Sequence, residues 1–169
     1  MMIVLKPIRT ISRTIGAALA ATFIAVAVAH ARAPAVYIDE GGVFSKAWEY
    51  AVDGYDVVAY QGLDENAAPV AGEDAYTATY KGVQWRFSTQ ENLDAFNADP
   101  ARYAPAYGGY CAWAMARGQL AKGDPAAWYV HGGTLYLNVN KRIQRRWLSD
   151  LENEIAAGDE NWPGALDSR

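Results

Sequence analysis

The chain has 169 residues, a formal net charge of −4, 51% hydrophobic residues and a single cysteine. An acidic chain with no long basic run is a poor candidate for binding nucleic acid or anionic lipid. One cysteine excludes an internal disulfide framework, and the length leaves room for one domain with a core of its own.

Residues 1–31 have the three-part form of a secretory signal. Lys6, Arg9 and Arg13 form the basic start, Ile15 to Ala29 an uncharged and mostly apolar run, and Ala29-His30-Ala31 the small residues that a signal peptidase reads. The 15-residue core is short for a spanning helix, which needs about 20 residues. A cleavable signal over 1–31 is therefore expected, with a periplasmic or secreted product and no membrane span after cleavage. Three of the fifteen Lys/Arg and none of the nineteen Asp/Glu lie in this segment, so residues 32–169 carry a charge of −7. All six Trp and all eleven Tyr also lie in that part.

Residues 32–50 read as an N-terminal lead-in broken at Gly41-Gly42. Ala51 to Tyr60 contains a β-branched apolar stretch and reads as a short strand; 61–74 reads as loop. Tyr76–Tyr80 and Val83–Phe87 alternate at period two around Lys81-Gly82 and predict a β-hairpin. Ser88-Thr-Gln-Glu91 matches a capping box opening a helix that stops before Asp99-Pro100. After Gly108-Gly109 a helix is expected over Tyr110–Arg117, closed by Gly118. Trp128–Val130 and Thr134–Leu137 flank His131-Gly132-Gly133 as a second hairpin. Asn140 then caps a helix whose stripe runs through Ile143, Trp147, Leu148, Leu151 and Ile155. Two hairpins, each followed by helices, define an α+β class. The halves 76–97 and 128–150 share this outline, but no internal repeat is legible in their side chains.

Cys111 is the centre of the chemical reading. It follows two glycines at the start of a predicted helix, where free N–H groups favour a thiolate. Tyr107, Gly108, Gly109, Tyr110 and Trp113 surround it in sequence as candidate binding residues, and Lys122 is a possible donor. Three roles are open for the cysteine: a buried packing residue, a reactive thiol, or a ligand to a soft metal. Met115, four residues on, would add a thioether, and the pair suits Cu(I), so copper is the candidate cofactor. One histidine in 32–169 is too few for a closed zinc site. His131 is a turn residue or, if the hairpin tip folds onto the glycines, a base for Cys111. Asp53 and Asp56 read as turn and strand-start residues. Lys141, Arg142, Arg145 and Arg146 read as a solvated basic face.

Gly54–Tyr60, Tyr80–Ser88, Asn92–Phe96 and Asp99–Pro105 together resemble a YHS domain. The continuation through Tyr107–Trp113, Gly123-Asp-Pro125, Leu135–Asn138 and Asn161-Trp-Pro163 is similar to the exported bacterial YHS-domain (seleno)protein family. The resemblance implies a small hairpin-and-helix module over 51–165 with a YHS, treble-clef-like core. Metal-binding YHS forms carry cysteines in the first strand and after the Phe of the hairpin. The matching regions here hold Val58-Ala59 and Ser88, so that metal site is not implied. The "seleno" label raises a redox role for Cys111. The expected function is an exported binding or thiol-redox module centred on Cys111. The alternatives are a non-catalytic module for a protein or small-molecule ligand with Cys111 buried, and a Cu(I)-handling protein using Cys111 and Met115. No catalytic constellation is identified.

Overall fold

A computed structural model describes residues 32–38 and 50–167. The signal-like segment and the Gly41-Gly42 break lie outside these residues. The first hairpin joins β1 (Glu73–Tyr80) to β2 (Val83–Phe87). Lys81 and Gly82 both adopt positive φ (51° and 78°), as a two-residue turn matched to strand twist requires. In β2, Val83, Trp85 and Phe87 are buried while Gln84 is exposed, so one face looks inward. Helix α1 (Gln90–Ala98) covers that face through Phe96, whose ring lies 5.2 Å from Trp85 and 4.8 Å from Phe87. Its cap is Thr89, which accepts from Asn92 N; the Ser88 hydroxyl expected there is engaged elsewhere. Asp99 caps α2 (Pro100–Tyr103), with Pro100 at the first helical position.

The second hairpin pairs β3 (Asp124–His131) with β4 (Thr134–Asn138), preceded by the short α3 (Ala112–Met115) and followed by α4 (Lys141–Leu148) and α5 (Leu151–Asn161). Asn140 caps α4 by accepting from Ile143 N. The single stripe expected from Ile143 to Ile155 is divided between α4 and α5. The division falls at Ser149, whose hydroxyl donates to the Arg146 carbonyl, a local bond that competes with helix continuation.

Residues 51–60 are not a strand. They form two tight turns, Ala51–Gly54 and Ala59–Gly62, with Val52, Asp53 and Gly54 at φ of 50°, 58° and 77°. The Asp56 carboxylate accepts from the backbone N–H of Val58 and Ala59, so these donors are satisfied locally and need no ladder.

The chain is a tandem repeat, contrary to the expectation from its side chains. The register Glu73↔Phe87, Thr77↔Arg86, Ala78↔Trp85, Thr79↔Gln84, Tyr80↔Val83 recurs 51 residues on as Asp124↔Asn138, Trp128↔Leu137, Tyr129↔Tyr136, Val130↔Leu135, His131↔Thr134, with the bulge at the same place. The turn residues recur at positive φ (Lys81-Gly82, Gly132-Gly133). So does the positive-φ run Val52-Asp53-Gly54, which becomes Tyr107-Gly108-Gly109 at a spacing of 55. The isolated bridges Tyr55↔Ala71 and Tyr110↔Lys122 correspond as well. The spacing falls from 55 to 51 because the loop between these motifs is four residues longer in the first unit. Repeat sequence is mostly replaced, and Ala51/Ala106, Gly54/Gly109, Tyr55/Tyr110 and Ala59/Ala114 are what remains identical over the first ten positions.

Equivalent positions fill equivalent cores. Val52, Val57, Tyr60, Trp85 and Phe96 in the first unit correspond to Tyr107, Ala112, Met115, Tyr136 and Trp147 in the second, all buried. The units differ on the other face of the hairpin. Leu135 and Leu137 of β4 are buried in the first unit's cluster, at positions where β2 carries exposed Gln84 and half-buried Arg86. The second hairpin is thus buried on both faces. Tyr60 ties the units together: its hydroxyl donates to the Pro125 carbonyl at 3.0 Å. The Tyr60 ring packs edge-on against Trp128 at 5.2 Å.

Candidate functional site

Cys111 is fully buried, which fits the packing residue among the three roles open to it. The helix after it is only four residues long, against the eight expected. The thiol donates to Asn138 Oδ1 at 3.7 Å, and that oxygen also accepts from Trp113 N at 3.2 Å. His131 does not reach Cys111; its Nε2 lies 3.3 Å from Glu152 and its ring stacks on Tyr129. Lys122 lies 3.8 Å from Asp53.

The repeat explains the cysteine. Cys111 occupies the position of Asp56, which is also fully buried. Asp56 Oδ2 accepts from Ser88 N (2.7 Å), Ser88 Oγ (2.6 Å) and Asn92 Nδ2 (2.7 Å), while Oδ1 takes the two turn N–H groups. In the second unit Val139 replaces Ser88 and Ile143 replaces Asn92. Cys111 accordingly packs in an apolar cluster with Ala114 and Ile143. Carboxylate, hydroxyl and amide have been exchanged as a set for thiol and hydrocarbon, which is how a small buried hydrophobe behaves.

Cys111 and Met115 are both fully buried, Met115 among the aromatic side chains of the second unit and Cys111 beside Ala114 and Ile143. Among the described residues no three His, Cys, Asp or Glu side chains gather to hold an ion. Ser88, at a position where the resemblance would place a metal-binding cysteine, is instead bonded to Asp56.

Among the described residues a cleft of about 380 Å³ lies where the units meet, and a second concavity of about 340 Å³ is lined by Asp53, Lys122, Asp124, Pro125 and Val139. Trp85 and its repeat equivalent Tyr136 both line the cleft between the units, with Tyr80 from β1, Tyr107, and Trp162 after α5. Lys81 and Asp159 are its charged lining residues. Of the residues expected from sequence, Tyr107 and Gly108 reach this cleft. Gly109 and Tyr110 are buried, and Trp113 lies under the Arg117 guanidinium, 3.8 Å from its ring centre. Sequence reading missed Tyr80, Trp85, Tyr136, Asp159 and Trp162, because each reads locally as a core or capping residue.

Two glycines shape the wall. Gly108 stands where a Cβ would come within 2.0 Å of the Ala35 carbonyl oxygen, and its own carbonyl accepts from Tyr37 N, which docks the lead-in. Gly158 leaves space for the Tyr107 hydroxyl, which a Cβ there would meet at 2.5 Å. That hydroxyl donates to Asp159 Oδ1 at 3.0 Å, with the Ile155 carbonyl 3.2 Å away. Burial, and then the bond to Asp159, hold the Tyr107 hydroxyl above the usual tyrosine range.

The architecture defines a class first: a tandem α+β module of two hairpin-and-helix units. The YHS domain family model then matches residues 66–107, the hairpin and helices of the first unit and the turn that opens the second. No curated protein and no solved structure is significantly similar to the chain.

Proposed function

We propose that this protein is an exported, non-catalytic binding module whose ligand site is the aromatic cleft between its two units, with Cys111 as a core residue. The observation that carries this reading is a cleft of about 380 Å³ at the junction of the units, on whose lining Tyr80 and Trp162 keep exposed surface beside the buried Trp85, Tyr107 and Tyr136, while the lone thiol has no exposed surface. Export rests on the form of residues 1–31, with cleavage after Ala31 leaving Arg32 as the new N-terminus.

Saturation-transfer NMR against small aromatic and ammonium compounds tests the cleft. Binders should perturb the Trp162 indole, and Ala101→Trp, which places a ring on the exposed α2 wall, should abolish binding while the protein stays folded. Undiminished binding in that variant would remove the cleft from consideration. A charged maleimide should label Cys111 only after denaturation; labelling of the native chain at the unfolded rate would restore the thiol-redox reading. Mass spectrometry of the exported product should give a chain beginning at Arg32.

A further inference from the structure

We infer that the cleft selects a small zwitterion whose cationic end is an alkylated ammonium, an inference that rests on the cleft reading above and names its ligand class. Aromatic faces alone would accept any apolar guest. Asp159 adds a carboxylate to the same wall, and its Oδ1 is fixed by the Tyr107 hydroxyl. No bond within the protein engages Oδ2 among the described residues, so one acceptor remains for a ligand. The partly exposed Tyr80 and Trp162 share the lining with this carboxylate, a combination that favours an ammonium with methyl substituents: ring quadrupoles attract the charge and the methyl groups bury against the rings.

The cleft already shows this chemistry internally, because Lys81 Nζ lies over the Tyr80 ring, 5.3 Å from its centre. Among the described residues Lys81 is the one basic residue on the lining, it is exposed, and no carboxylate pairs with it. A purely cationic ligand would leave that ammonium as a repulsive neighbour. A ligand that also carries a carboxylate would satisfy it. The two charges sit on different units, Lys81 at the tip of the first hairpin and Asp159 on α5, so a ligand bridging them reads the junction and neither unit alone.

Four isosteric probes separate the contributions in calorimetric titrations of the purified chain. N,N,N-trimethylglycine carries both charges, choline only the cation, 3,3-dimethylbutanoate only the anion, and 3,3-dimethylbutan-1-ol neither. The zwitterion should bind at least tenfold more tightly than each of the others. Asp159→Asn should weaken trimethylglycine and choline by about tenfold and leave the carbon isosteres unchanged. Lys81→Met should weaken trimethylglycine and 3,3-dimethylbutanoate and tighten choline. Equal binding of trimethylglycine and its carbon isostere overturns the ligand class and leaves the cleft standing. Binding of none of the four also overturns the ligand class, and the cleft reading falls only if the wider screen fails as well.

Discussion

The two units place the same backbone around opposite chemistry. At the centre of the first, Asp56 collects five hydrogen bonds from Val58, Ala59, Ser88 and Asn92. At the centre of the second, Asn138 Oδ1 takes two, its Nδ2 has no partner among the described residues, and Cys111 packs against Ile143. The polar centre holds turn, strand end and helix together through one carboxylate. The apolar centre depends on packing, which it finds because the second hairpin is covered on both faces. A fold can therefore keep its backbone while its central residue moves from hydrogen-bond hub to hydrophobe, provided the contacting residues move with it.

That contrast can be broken from either side. The largest effect is expected for Asp56→Ala, which strands several buried donors and should cost about 4 kcal/mol in urea unfolding. Cys111→Ala should cost about 1–2 kcal/mol, as a small cavity does; comparable losses at the two sites would erase the distinction. Next is Leu135→Gln, which gives β4 the residue that β2 carries at the equivalent place. It should cost about 3 kcal/mol, while the reciprocal Gln84→Leu on the exposed face stays within about 0.5 kcal/mol. Gly108→Ala should follow at about 2–3 kcal/mol, because the new Cβ meets the Ala35 carbonyl and the residue must hold φ of 63°. The lead-in at 32–38 should then become sensitive to limited proteolysis.

The smallest effect concerns the bond joining the units. Tyr60→Phe removes the donor to Pro125 and should cost about 1 kcal/mol at neutral pH. Burial, then nearby Tyr55 and Asp53, raise the Tyr60 hydroxyl far above its ordinary value. The folded state keeps the proton while the unfolded chain loses it near pH 10, so stability should be constant below that pH. Above it, stability should fall by about 1.4 kcal/mol per pH unit for each such tyrosine. Tyr60→Phe should reduce this alkaline slope in urea titrations between pH 9 and 12. An unchanged slope would show that Tyr60 does not stay protonated in the folded protein at these pH values.

Both hairpins were legible because period-two alternation and the Lys81-Gly82 and Gly132-Gly133 turns are local signals. The Asn140 cap and the stop before Pro100 were legible for the same reason. Residues 51–60 misled, since Val57 and Val58 are β-branched yet their turn is held by Asp56, a carboxylate whose role depends on Ser88 and Asn92 more than thirty residues away. Cys111 was left with three roles, because the burial of a thiol beside two glycines depends on what packs over it. The cleft was the least legible feature. Its walls come from β1, β2, the Tyr107 turn, β4 and the end of α5, and no stretch of sequence holds more than a few of them.

By itself the sequence determined the α+β class, the strands and caps, the charge, and a single thiol without the partners for a zinc site. Those follow from interactions within a few residues or from counting. Only the tertiary structure decided that the chain is a repeat, that Cys111 is core, and that the aromatics of two units meet in one cleft. Each of these depends on which distant surfaces bury one another, and burial is fixed by long-range packing that local periodicity does not encode.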